Sequence, residues 1–165
     1  MASISNSTLL HDIEGIQNVK DAFVILIKTE WNAAIVNELE QGCMSILKSS
    51  GIRTRTVTVP GAVEIPFAIQ QCRANSNSAA AYIALGCVIR GDTPHFDYVC
   101  QSVTGGITQL NISLPVPVIF GVLTVNTLQQ AQERIGGIHG HKGEEAALTA
   151  IKMMLLNQQI TRQKL

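Results

Sequence analysis

A glycine-led turn, one histidine and one tryptophan carry most of the chemistry this sequence can offer. In residues 90–95 (RGDTPH), Gly91 permits a tight turn, and Asp92, Thr93 and Pro94 lead into a helical stretch. The first N–H groups of such a helix lack intrahelical partners. Together with about half a positive charge from the helix dipole, they can hold a phosphate; the alternative is a plain N-cap made by Thr93 or Asp92. His95 follows in the first turn, an imidazole that can take and give a proton. Asp97 and Glu64 are weaker acid/base candidates. Trp31, the only tryptophan, can stack on a planar heterocycle or close over the core. Arg134 ends a short helical stretch with Leu128 and Ala131, where a cation is favoured by the dipole whatever its function. His139 and His141 form an H-x-H beside Lys142. A metal needs three or more converging ligands, and no acid or thiol is spaced alongside, so no metal is expected.

These residues need a scaffold that brings separate loops together. Four segments read as strands: 22–27 (AFVILI), 52–59, 79–89 and 116–124. Three are continuous apolar runs, as in strands covered on both faces of a parallel sheet; 52–59 alternates and is expected at an edge. Helical spacing follows in Ile35, Leu39, Cys43, Ile46 and Leu47, and again in Phe96, Val99, Val103, Ile107 and Leu110. Gly51 stands where a C-terminal cap belongs, Pro66 and Pro94 suit first turns, and a last helix is expected over 146–159 after a Gly-rich break at 136–143. Repeated strand–helix order with short connections gives right-handed crossovers and helices on both sides of a four-stranded parallel sheet, a three-layer α/β/α sandwich. Ligands of such sheets bind beyond the carboxyl ends of the strands, which selects the loops at 28–32, 60–64, 90–95 and 125–127.

The composition narrows the function. At 165 residues the chain is one domain, expected over 21–159 with an N-terminal tail at 1–20 and a C-terminal tail at 160–165. Twelve Lys+Arg balance twelve Asp+Glu, so no basic field recruits nucleic acid or an anionic membrane. No apolar run approaches the ~20 residues of a membrane helix, and no signal-peptide pattern opens the chain, so a soluble, cytoplasmic protein is expected. Only 15% of residues are charged while 46% are apolar. With so little solvating charge, part of the folded exterior is expected to be covered by further subunits. Cys43, Cys72, Cys87 and Cys100 form no C-x-x-C pair and read as buried thiols. Dinucleotide, P-loop and nucleophile-elbow patterns are absent from the sequence.

Residues 60–66 (PGAVEIP), 86–100 (GCVIRGDTPHFDYVC), 120–124 (FGVLT) with 130–134 (QAQER), and 141–146 (HKGEEA) together resemble the 6,7-dimethyl-8-ribityllumazine synthase family over roughly 20–158. The resemblance implies a flavodoxin-like fold and a transferase of riboflavin biosynthesis. Such an enzyme condenses 5-amino-6-(D-ribitylamino)uracil with 3,4-dihydroxy-2-butanone 4-phosphate, without cofactor or metal. Carried over by motif, Trp31 stacks on the pyrimidine; Ala62, Val63, Glu64, Cys87, Val88 and Ile89 line the ring and ribityl pocket; Asp92 and Thr93 hold the phosphate; and His95 moves protons. Phe120 and Arg134 match positions that reach the ring and the phosphate from an adjacent subunit, with Lys142 and Glu145 as secondary candidates near the phosphate. The family forms homopentamers, some associating into larger shells. The alternatives are a flavodoxin-like binder of flavin or lumazine and a shell-forming paralogue with weak catalysis.

Overall fold

Two of the three apolar runs become the inner strands of one parallel sheet, and the third forms one of its edges. The computed structural model describes residues 15–163. Strands β1 (Phe23–Thr29), β2 (Arg53–Val59), β3 (Ala81–Ile89) and β4 (Val118–Val125) are all parallel, in the order β2-β1-β3-β4. Between and after them run α1 (Ala33–Ser49), α2 (Ile65–Asn75), α3 (His95–Ser113), the short α4 (Leu128–Gln132) and α5 (Lys142–Gln163).

The period-2 alternation of strands divides the core into two layers. Val24, Leu26, Ile83 and Leu85 face α1 and α5, packing on Leu39, Cys43, Leu47, Ala147 and Ile151. Ile25, Ile27, Tyr82 and Ala84 face α2 and α3, packing on Ile65, Ile69, Val103 and Ile107. Each fully buried Leu or Ile contributes ~1.5–3 kcal/mol relative to exposure, so both stripes hold their helices to the sheet. This is the three-layer α/β/α sandwich, with alternating β2 at an edge as expected.

Strand boundaries shift by up to two residues from the sequence reading. The helix punctuation holds at α1 and α2: Gly51 adopts φ +70°, and Ile52 and Gly51 donate to the carbonyls of Leu47 and Lys48, the paired bonds of a Schellman stop. Pro66 lies in the first turn of α2.

Three segments differ from the sequence reading. Ile16–Val19, assigned to a tail, forms a 3-10 turn whose Val19 is buried in the α1/α5 layer, and the last helix continues through residue 160 to Gln163; the rest of the two expected tails, 1–14 and 164–165, lies outside the described residues. The Gly-rich break contains a two-stranded hairpin, β5 (Ile135–Gly137) with β6 (Gly140–His141). Finally, α5 starts at Lys142, four residues before the expected 146. Gly143, which reads as a breaker, is helical because its bare Cα lies against the Leu39 backbone of α1, where no side chain fits. Of the four cysteines, Cys43 and Cys87 are buried, whereas Cys72 and Cys100 are only partly so.

Candidate active site in two halves

The chain steps from β1 to β2 in one direction and reaches β3 on the other side of β1, so the crevice of this sheet lies beyond the carboxyl ends of β1 and β3. Asn32, in the left-handed conformation at φ 57°, spans it: its Nδ2 donates to the Cys87 carbonyl at 2.8 Å. Trp31 N–H donates to the Pro60 carbonyl at 3.3 Å and Glu30 N–H to Val59 at 2.9 Å, which ties the first loop to the second. The Trp31 ring and the Glu64 carboxylate flank Gly61, where an added Cβ would stand 3.6 Å from the indole and 3.1 Å from Glu64 Oε2. Trp31 is 73% exposed. It is therefore no lid on the core; its indole faces solvent and is free to stack on a flat ring.

The neighbouring residues at the ends of β2 and β3 are mostly apolar. Ala62 and Cys87 are buried, Val88 and Ile89 half-buried, and Val63 and Glu64 exposed beside them. Burial pushes the Cys87 thiol up to about 11, so at neutral pH it stays protonated and is not a thiolate nucleophile.

On the far side stands the 91–95 turn. Asp92, Thr93 and His95 are exposed. The expected N-cap by Asp92 or Thr93 does not form: α3 opens at His95 after Pro94, whose carbonyl accepts from Asp97 N–H at 2.9 Å, with no side-chain cap. The Thr93 hydroxyl and the first amides of α3 thus remain available to an anion. Asp97 is not available as a base, because the Arg90 guanidinium holds it at 2.9 Å.

Phe120, Lys142 and Glu145 gather elsewhere. They line a groove of about 480 Å³ between α3 and α5, along the outer edge of β4. Phe120 pairs with Ala84 in mid-sheet, five residues before the end of β4, or roughly 16 Å along the strand. The 41% of Phe120 left exposed cannot reach Trp31 in the same chain, since β3 stands between their strands. Lys142 Nζ holds the Glu145 carboxylate at 2.7 Å and 2.8 Å. Arg134, half-buried just past α4, donates from Nη1 to the Gln130 carbonyl at 2.7 Å, as a cation at a helix C-terminus does. His139 Nε2 faces Glu133 at 3.8 Å, and His141 packs over Gly42 of α1.

Two residues escaped the sequence reading, Asn32 as the tie across the crevice and Arg90 as the partner of Asp97. An asparagine three residues past the end of an apolar strand was the available signal for the first; the second joins positions across a loop, which no helical or strand spacing marks.

The model of the 6,7-dimethyl-8-ribityllumazine synthase family matches residues 21–158. A protein of that name from Phocaeicola vulgatus is 41% identical over 165 residues, covering 98% of both chains. One from Porphyromonas gingivalis is 46% identical over 156 residues, covering 93% of this chain and 96% of its own. Another from Bdellovibrio bacteriovorus is 45% identical over 137 residues, covering 82% and 75%.

Proposed function

Because this chain belongs to the 6,7-dimethyl-8-ribityllumazine synthase family, we propose that it condenses 5-amino-6-(D-ribitylamino)uracil with 3,4-dihydroxy-2-butanone 4-phosphate, with each site built from two copies of the chain. One copy supplies the strand-end crevice. Trp31 stacks on the pyrimidine, Ala62–Glu64 and residues 87–89 line the ring and ribityl chain, Asp92 and Thr93 seat the phosphate, and His95 moves protons. The adjacent copy supplies its β4 edge, with Phe120 on the other ring face, Arg134 on the phosphate, and Lys142 with Glu145 beside it.

The observation that carries this reading is the separation of the two halves. A planar ring reached by both Trp31 and Phe120 requires a second chain, because β3 and most of β4 intervene within one. The exposed Phe67, Tyr98, Ile112 and Leu156 supply apolar surface for such packing, in line with the low charge content. A head-to-tail contact whose rotation closes gives a ring, and the family resemblance implies a pentamer.

The reaction then needs positioning more than strong acid or base. The 5-amino group attacks the ketone and water leaves to give an imine, phosphate is eliminated, the resulting enol tautomerises to a ketone, and the ribityl-bearing nitrogen adds to that carbonyl to close the ring, loss of a second water giving the lumazine. Each step moves protons, for which the exposed imidazole of His95 on the turn is the proposed carrier. Orientation of the two reactants can supply more rate than general acid/base catalysis, which is worth ~10²–10⁴-fold.

Mixed assembly tests the shared site. Trp31→Ala and Phe120→Ala are each expected to be nearly inactive as pure assemblies. Co-refolded at equal amounts, they pair randomly, and about a quarter of the sites receive an intact half from each parent. Lumazine formation should therefore rise far above either parent. No recovery in mixed particles whose mass confirms co-assembly would place the whole site within one chain and refute the reading.

A further inference from the structure

The 91–95 turn has little to hold it in place. A Cβ built at Gly91 would meet nothing within 4 Å, and Asp92, Thr93, Pro94 and His95 are all exposed. Its geometry is therefore set at its two ends, and one side chain grips both. Arg90 N–H donates to the Val125 carbonyl at 2.9 Å, continuing the β3–β4 ladder by one bond. Its guanidinium fork reaches over the turn, with Nη2 at 2.9 Å from Asp97 Oδ1 and Nη1 at 3.4 Å from Oδ2. Its Cζ lies over the Phe96 ring, 4.1 Å from the centroid, and Nε donates to Asn126 Oδ1 at 3.1 Å. Asn126 is itself fixed, its N–H donating to Gln130 Oε1 at 2.8 Å.

We propose that Arg90 is a positioning residue for the phosphate seat: it clamps the first turn of α3 to the ends of β3 and β4, and it neutralises the Asp97 carboxylate that would otherwise repel an anion at that helix start. The inference rests on the reading of residues 92–93 as that seat. Two physical effects act together. The planar fork, stacked on one side and bonded at three nitrogens, holds Phe96 and Asp97, and so the adjoining His95, at fixed distance from β3. An unpaired carboxylate in a first turn occupies the field that a phosphate would use, and pairing removes that competition.

The test measures inhibition by inorganic phosphate and steady-state constants for both substrates in the assembled enzyme. Its variants are Thr93→Val, Arg90→Met, Arg90→Lys and Arg90→Met/Asp97→Asn. Arg90→Met should raise the inhibition constant of phosphate and the KM of the phosphorylated ketone about tenfold, which is 1.4 kcal/mol. The KM of the pyrimidine should stay within about twofold, since Trp31 and its loop are untouched. Arg90→Lys keeps the charge without the fork and should fall between wild type and Arg90→Met. The double variant should recover part of the phosphate affinity, because the stranded carboxylate is gone. If Thr93→Val weakens phosphate and Arg90→Met does not, the clamp is refuted while the seat stands. If neither does, the seat itself is misassigned and both readings fall. Equal loss for both substrates with a lowered Tm would leave Arg90 a fold residue only, which also overturns the proposal.

Discussion

Gly143→Ala puts one added methyl group against a surface that cannot yield. A Cβ at residue 143 would stand 2.8 Å from the Leu39 carbonyl carbon and 2.9 Å from its Cα, and would overlap the Leu39 carbonyl oxygen. All three atoms are α1 backbone, so relief requires the start of α5 to move away from α1. Overpacking of this kind costs ~1–3 kcal/mol, and a backbone obstacle argues for the upper end. Alanine offsets ~1 kcal/mol of that by its better helix propensity. The net loss of ~2 kcal/mol lowers Tm by ~4–8 °C for a domain of this size. Gly42→Ala is the control, because the three nearest atoms to a methyl there all belong to the His141 imidazole, with Nδ1 at 2.6 Å and Nε2 at 2.7 Å. A ring can swing aside, so Tm should change by less than for Gly143→Ala. The hairpin bearing His141 adjoins Lys142, however, and KM for the phosphorylated ketone should rise severalfold, with Gly42→Ala/His141→Ala returning toward wild type. Calorimetry must compare the variants at one protomer concentration, since assembly shifts Tm. A Gly143→Ala protein as stable as wild type would refute the reasoning that backbone contact, and not mere tolerance, fixes glycine there.

Three further outcomes are expected. His95→Ala should slow lumazine formation within the ~10²–10⁴-fold range of general acid/base catalysis without abolishing it, and complete loss with intact substrate binding would contradict a mainly orienting site. Arg134→Ala should raise KM for the phosphorylated ketone about tenfold or more, as loss of a charge-assisted contact does, and an unchanged KM would remove Arg134 from the site. Desolvation by burial, with Glu40 nearby as the lesser cause, pushes the Cys43 thiol from 9.0 up to about 12. Its contribution is complete below pH 9, where both states are protonated, and is lost as pH rises from 9 to 12, because only the unfolded chain then releases the proton. Urea denaturation across that window should fall less steeply in Cys43→Ala, by up to one proton per protomer; parallel slopes would sink the assignment.

Sheet and helices were legible because their signals are local. Leu39, Cys43 and Leu47 repeat at helical spacing whatever they pack against, and they do face the sheet in α1. The runs at β1 and β3 are apolar on both faces because both faces are covered. The candidate site was marked for a similar reason: fold topology directs attention to strand ends, and Trp31, Thr93 and His95, whose roles are proposed, stand out there by residue type. Gly143 misled the reading because propensity marks glycine as a breaker, whereas close packing makes it the only residue that fits a helix at that point. The hairpin at 135–141 was missed because its strands of three and two residues are too short to display a period.

The order of apolar, polar and punctuating residues determined by itself an α/β domain, and it marked the strand-end loops in which the phosphate seat and the aromatic platform are proposed. Tertiary structure alone decided that Trp31 faces solvent, that Arg90 reaches across the turn to Asp97, and that Phe120 and Lys142 share a groove apart from the crevice they are proposed to complete. Those relations join residues distant along the chain through packing, and a one-dimensional pattern encodes periodicity but not the direction in which a side chain emerges from a folded edge.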